Sequence, residues 1–262
     1  MNPGSPQIAP KSHVANVNDI QMYYEVYGKG SPLVLLHGFT QAASFWHPFV
    51  TDFAAHFKLI VPDLRGHGRS TNPTNQFTHR QVALDIFALL NQLQINQFKA
   101  IGFSSGADTL LHLATQQQPR LEAMILIGTG HYWPEQSRVI MRQYTAESEV
   151  WDWSTLRQRH VHGDEQIRIM LEQFHNFADN YDDVNFALPS LSTITTRTLI
   201  ANGDRDPFYP ASLAAEMYAA IPNAYLWIVP NGDHFPFRGE NARLFAHIAL
   251  EFLQGHWETN KS

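Results

Sequence analysis

Two rhythms of apolar residues alternate along the chain. Ile20–Tyr27 alternates loosely between apolar and polar positions and predicts an early strand, with Gly28-Lys29-Gly30 as the turn after it. Pro32–Leu36 is a short continuous apolar run, as expected of a strand buried on both faces. Residues 44–57 carry apolar side chains at helical spacing, and residues 59–61 read as another buried strand, ended by Pro62. In residues 78–93 the positions Val82, Ile86, Leu89, Leu90 and Leu93 make one helical stripe. Phe98–Phe103 reads as a strand, residues 105–117 as a helix and residues 123–127 as a strand.

The alternation breaks at Gly130. Residues 130–192 are mostly helical in pattern and rich in aromatics, among them Trp133, Trp151, Trp153, Phe174, Phe177, Tyr181 and Phe186. Ile167, Met170, Leu171 and Phe174 fit one helix face. Alternation resumes with a strand at 198–201, a helix at Ala211–Ala220, a strand at 225–229 and a last helix at 241–253. Repeated βα units imply an α/β fold with a mostly parallel sheet and helices on both faces. The interruption reads as a helical cap, residues 131–192, inserted into a core made of 19–130 and 193–262. Residues 1–18 read as a flexible leader. The plainer alternative for the insert is three ordinary helices packed on the sheet.

Composition narrows the partners. A length of 262 residues suffices for one large α/β domain or one domain with an inserted cap. The formal net charge of -6 argues against nucleic acid or an anionic membrane as a main partner, because both call for basic patches. The chain has no cysteine, which excludes disulfides, a cysteine nucleophile and thiolate metal sites. Residues 1–11 lack the apolar core of a signal peptide, and no stretch approaches the length of a membrane span. The expectation is a soluble cytoplasmic protein, monomer or homodimer, with a small-molecule partner.

The candidate chemistry centres on Gly102-Phe103-Ser104-Ser105-Gly106, of the form G-x-S-x-G, between the strand ending at Phe103 and the helix beginning at Ser105. A serine in so sharp a turn sits in strained backbone with its hydroxyl exposed. A serine hydroxyl is a weak nucleophile and needs a base beside it. Asp204 and Asp206 follow the strand ending near Ala201, and His234 follows the strand ending near Val229. Strand C-terminal ends are where sites gather in open parallel sheets. Asp206 is the preferred acid, with Asp204 and Asp233 as turn-forming residues beside glycine. His37-Gly38-Phe39-Thr40 follows another strand, and the main-chain N–H groups of Phe39 and Ser105 are the expected oxyanion donors.

Other polar residues have plainer readings. His37 is expected to tie down its loop by hydrogen bonds. His160 and His162 have no third or fourth ligand at recognised spacing, so a solvated or capping role is expected and no metal. Residues 63–70 lack the Lys-Ser/Thr of a P-loop and the glycine spacing of a dinucleotide fold, so no cofactor is implied. Asp108 complements the dipole of its helix. Phe39, Phe103, Trp133, Phe208 and Phe235 are the candidate apolar pocket lining, at least half of them expected only to pack the cap on the core. No Arg or Lys cluster stands in the cap, so no site for a multiply charged substrate is expected.

Taken with residues 62–70 (Pro-Asp-Leu-Arg-Gly-His-Gly-Arg-Ser), Gly203-Asp204-Arg205-Asp206 and Gly232-Asp233-His234, the chain resembles the α/β-hydrolase family from about residue 20 to 253. The resemblance implies an eight-stranded, mostly parallel sheet with a cap after the sixth strand, and Asp206 as the acid partner of His234. Haloalkane dehalogenases and epoxide hydrolases of this fold use an aspartate nucleophile, where this chain has Ser104. Prolyl iminopeptidases usually show tryptophan after the nucleophile, where it has Ser105, and carbon–carbon bond hydrolases often have tryptophan after the histidine, where it has Phe235. The expected activity is that of a cofactor-free serine hydrolase on a small to medium, largely apolar carboxylic ester, thioester or lactone. The alternatives are a non-hydrolytic receptor on the same fold, an acyltransferase, a cofactor-free haloperoxidase or a carbon–carbon bond hydrolase.

Overall fold

Short runs of Leu, Ile, Val and Phe, buried on both sides, form the middle of an eight-stranded sheet. The computed structural model describes residues 9–116 and 118–257. In chain order the strands are β1 (Lys11–Val17), β2 (Ile20–Tyr27), β3 (Pro32–Leu36), β4 (Lys58–Pro62), β5 (Phe98–Phe103), β6 (Leu121–Ile127), β7 (Arg197–Gly203) and β8 (Ala224–Val229). They lie in the order β1-β2-β4-β3-β5-β6-β7-β8. The pairs β1–β2 and β2–β4 are antiparallel, and every pair from β4 to β8 is parallel.

The helices are α1 (His47–Ala54), α2 (His79–Gln92), α3 (Ser105–Gln116), α4 (Glu135–Gln143), α5 (Trp153–Arg159), α6 (Asp164–Asn176), α7 (Leu188–Leu191), α8 (Ala211–Ala220) and α9 (Ala242–Gln254). Although the central strands are apolar throughout, successive side chains still serve opposite faces. Leu33 and Leu35 join the core under α1 and α9, with Phe53, Phe245 and Phe252. Val34 and Leu36 join the core under α2, α3 and α8, with Ile86, Leu110 and Met217. Thr78 starts α2 as an N-cap, its hydroxyl accepting from the Gln81 N–H at 3.1 Å.

Two local expectations change. The stretch expected as a leader to residue 18 instead forms β1 over Lys11–Val17, paired along its length with β2. Only Ala15 and Val17 turn inward, and Val14 is 64% exposed, so this edge strand is held by backbone hydrogen bonds and carries almost no apolar pattern. Residues 1–8 of the expected leader, and Gln117 at the end of the expected helix, lie outside the described residues. The single helix expected at 44–57 is a short 3₁₀ turn, Ala43–Trp46, followed by α1. Pro48 stands in the first turn of α1, where its missing N–H costs no intrahelical bond.

Between β6 and β7 the chain leaves the sheet to form α4 to α7. Tyr132 and Asn185 form an isolated antiparallel bridge, and the Phe186 N–H donates to the His131 carbonyl at 2.7 Å. Entry and exit of this segment are thereby tied together. Among the described residues no helix is long and apolar enough to cross a membrane.

Candidate active site

Parallel pairing puts the C-terminal ends of β3, β5, β6, β7 and β8 on one edge of the sheet. The register runs through Leu36, Gly102, Leu126, Ile200 and Leu226. Phe39, Ser104, Asp206 and His234 all follow those ends.

Ser104 has φ of 51°. For a residue with a Cβ this left-handed conformation costs about 1–2 kcal/mol, and it persists only where the surroundings enforce it. The surroundings are close. The Ser104 N–H donates to the Ile127 carbonyl at 2.8 Å, and its own carbonyl accepts from the Asp108 N–H at 2.9 Å as the first turn of α3. A Cβ on Gly102 would stand 2.5 Å from the Gly106 carbonyl oxygen, and one on Gly106 would collide with the Leu36 carbonyl. The helix can therefore start directly against β3 and β5 only with glycine at both positions. The Ser104 side chain is half-buried and its hydroxyl bonds to none of the described residues, His234 included.

His234 and Asp206 are brought together. Nδ1 of His234 lies 2.9 Å from Oδ2 of Asp206, and Oδ1 of Asp206 accepts the N–H groups of Phe208 (2.8 Å) and Tyr209 (3.2 Å). The carboxylate can only accept, so Nδ1 carries the ring proton and Nε2 is left as the basic nitrogen. Rings of Phe103 and Phe208 stand 4.9 and 4.8 Å from the His234 ring and hold it from two sides. Asp204 is exposed and makes no contact with His234, while Asp233 accepts the Phe235 N–H at 2.8 Å as a turn residue. The N–H groups of Phe39 and Ser105 find no protein acceptor among the described residues.

The aromatic candidates separate. Phe39 is buried against Phe77, Phe174 and Phe177, joining the loop after β3 to the segment of α6. Phe208 and Phe235 are half-buried beside His234. Phe103 is only 2% exposed, wedged among Phe45, Phe235 and Phe237, and supports the site from below. Trp133 packs on His79 and Phe177. A cavity of about 350 Å³ lies elsewhere, along the seam between residues 66–75 and α6, with Asn72, His162, Gln166 and Gln173 in its walls. Its lining includes none of Ser104, Asp206 and His234.

Buried histidines brace the loops. His37 Nδ1–H donates to the Gly38 carbonyl at 2.8 Å, and Nε2 accepts from the Leu64 N–H at 3.0 Å, so the ring is neutral; burial pushes its pKa down to about 3. His160 is the C-cap residue of α5, in line with the capping half of its expected role, but at 1% exposure it is not solvated. It accepts from the Gly68 N–H at 2.9 Å and donates to the Thr40 carbonyl at 3.1 Å, bridging both core loops to the end of α5. Burial also pushes its pKa down to about 3. Asp63 accepts the Ala43 N–H (2.6 Å) and the Arg69 N–H (2.8 Å), and burial raises its pKa to about 6.

A second cluster escapes the sequence. His79 Nδ1 lies 2.7 Å from Asp183 Oδ2, and Nε2 is 3.7 Å from Asp108 Oδ2. Asp183 also accepts the backbone N–H groups of His79 (2.8 Å) and Arg80 (3.2 Å), and its own carbonyl accepts from His112 Nε2 at 2.7 Å. Asp108 accepts from the Thr129 hydroxyl. Burial works against charge on His79, yet the two facing carboxylates raise its pKa overall. Asp108 is thus a core residue as well as a first-turn carboxylate. Its partners Thr129 and His79 are 21 and 29 positions away in the chain (129 − 108 and 108 − 79), and no local spacing announces them.

Known proteins place this architecture. The family model described as the alpha/beta hydrolase fold matches residues 31–152. A soluble epoxide hydrolase of Corynebacterium sp. strain C12 is 33% identical over 115 residues, covering 44% of this chain and 40% of that protein. A pimeloyl-[acyl-carrier protein] methyl ester esterase of Nitrosospira multiformis is 24% identical, covering 88% of this chain and 98% of that one. The solved carboxylesterase CesB of Bacillus subtilis shares the fold with a TM-score of 0.78 at 17% identity, over 95% of this chain and 93% of that one. The family-model match over residues 31–152 and the shared eight-stranded architecture show that this chain has the alpha/beta hydrolase fold.

Proposed function

We propose that this protein is a cofactor-free serine hydrolase that cleaves a small to medium, largely apolar carboxylic ester, thioester or lactone through an acyl-enzyme. The observation that carries the reading is the 2.9 Å contact between His234 Nδ1 and Asp206 Oδ2 on the strand edge that also bears Ser104 in its strained turn. In this reading His234 Nε2 takes the proton as Ser104 Oγ attacks the carbonyl carbon. Asp206 holds the tautomer and stabilises the imidazolium. The Phe39 and Ser105 N–H groups, which have no acceptor among the described residues, receive the developing oxyanion. His234 then returns the proton to the leaving group, and a water activated by Nε2 releases the acid.

Residues 131–192 act as the cap over this edge, and 19–130 with 193–262 as the catalytic core. Phe39, Phe208 and Phe235 supply apolar walls beside the reacting atoms, with Phe103 and Trp133 behind them. The protein works on a small-molecule acyl compound in the cytoplasm, as a monomer or homodimer. The named activity of the esterase relative from Nitrosospira multiformis supports an ester as substrate. Hydrolysis of a chain-length series of p-nitrophenyl esters, beside Ser104→Ala, tests the reading. Serine-dependent turnover with a chain-length optimum is expected; turnover undiminished in Ser104→Ala contradicts it.

A further inference from the structure

Two guanidinium groups meet the Ser104 edge from different segments, and neither is paired with a carboxylate among the described residues. Arg159, the last residue of α5, is half-buried and donates from Nη1 to the Thr40 carbonyl at 2.6 Å. That carbonyl belongs to the residue after Phe39, so the guanidinium sits one residue from a proposed oxyanion donor. Arg238 follows His234 by four positions and lies 4.5 Å from the ring centroids of both Phe45 and Phe235. Those rings are in turn 5.0 and 4.9 Å from Phe103, which stands against His234.

Arg159 is half-buried and Arg238 exposed, and neither fills its donors within the described residues. Of the five N–H donors on a guanidinium, Arg159 places one on a protein acceptor among the described residues and Arg238 places none. Neither forms an ion pair there: Asp233 attracts Arg238 without reaching ion-pair distance, and its Oδ1 is taken by the Phe235 N–H. Burial and the charge of Arg238 both disfavour the charged form of Arg159. A half-buried cation near a like charge is costly unless something anionic arrives to share it. Carboxylates suit a guanidinium because its fork can grip both oxygens.

We infer that Arg159 and Arg238 form a carboxylate subsite, so that the favoured substrate is an acyl compound with an apolar middle and a carboxylate at the end away from the scissile bond. This rests on the hydrolase reading above and adds one negative charge to the substrate. No cluster is visible in the sequence because the two arginines are 79 positions apart (238 − 159) and only one belongs to the cap segment.

The test separates binding from turnover. Titration calorimetry on Ser104→Ala compares monomethyl adipate with methyl hexanoate, which has the same chain length and no charge. The half-ester is expected to bind about tenfold tighter or more, the range of a charge-assisted hydrogen bond. Adding Arg159→Gln should bring the two ligands within about threefold, whereas Arg159→Lys keeps part of the preference. Raising ionic strength from about 0.05 M to about 0.5 M should shrink it, because part of the site is open to screening. Equal affinity for the two ligands, including no measurable binding of either, overturns the inference, as does a preference that survives the Arg159→Gln, Arg238→Gln double variant. Ester hydrolysis that persists in Ser104→Ala would instead defeat the hydrolase reading, whatever the calorimeter shows.

Discussion

His234 Nδ1 and Asp206 Oδ2 stand 2.9 Å apart, and that contact decides which ring nitrogen is free to act as a base. Because Asp206 Oδ1 also receives two backbone N–H groups, the carboxylate is fixed at both oxygens and cannot rotate away from the ring.

Replacing the carboxylate by an amide should therefore present the wrong tautomer. Asp206→Asn is expected to lower kcat for ester hydrolysis by about 10³–10⁴-fold. Asp204→Asn, on an exposed side chain two residues earlier, should stay within about threefold of the native rate, as surface changes usually do. Steady-state kinetics of the two variants decide it: equal losses would mean that the wrong aspartate has been named.

The strain at Ser104 is measurable separately from activity. Glycine tolerates φ of 51° and alanine does not, so Ser104→Gly should be more stable than Ser104→Ala by about 1 kcal/mol. For a chain of this size that is about 2–4 °C in Tm. Thermal unfolding of both inactive variants gives the comparison, and a more stable alanine variant would remove strain from the account.

Acid should destabilise the fold well above the range of ordinary carboxylates. His37, His67 and His160 are each held by burial at a pKa of about 3. An unfolded histidine titrates near about 6.5. Between those values the unfolded chain binds protons that the folded one refuses, so stability is lost as pH falls from about 6.5 towards about 3. Asp63 opposes this, since its folded pKa of about 6 means the native state keeps a proton that the unfolded chain releases between about 4 and 6. His79, raised instead, stabilises below the unfolded value and loses its contribution as pH rises through its folded pKa. The three histidines, each lowered far below its ordinary value, outweigh Asp63, Asp108 and His79, whose raised pKa values act the other way, and predict a urea midpoint lower at about pH 5 than at about pH 7. A midpoint that rises on acidification would show that the histidines are not neutral in the folded protein.

Asp183 joins the segment between β6 and β7 to α2 and α3. Asp183→Asn leaves the His79 charge without its nearest partner and weakens the cap on the start of α2. Breaking a buried pair from one side costs about 3–5 kcal/mol. Denaturant unfolding should show that loss, and a change below about 1 kcal/mol, the size of an exposed ion pair, would mean that the cluster contributes little.

Local chemistry is what the sequence makes legible. Ser104 stands out because the two glycines needed for close backbone approach lie within two residues of it, and Asp206 and His234 because each follows the end of an apolar strand run. β1 is not legible, since an edge strand with only Ala15 and Val17 turned inward has almost no periodic signal. Nor is the burial of His160, whose partners Thr40 and Gly68 are 120 and 92 positions away. The His79–Asp108–Asp183 cluster and the Arg159–Arg238 approach share that cause. Each is made by tertiary packing of distant segments, and no residue type at short spacing records it.

The central claim is that Ser104 is an activated nucleophile, and covalent labelling tests it most directly. The native protein, incubated with a fluorophosphonate and digested, should carry a single phosphonyl adduct on the peptide containing Ser104. Ser104→Ala should carry none, and His234→Ala should react far more slowly. A folded native protein that leaves Ser104 unlabelled, or labels it as fast without His234, would contradict the account.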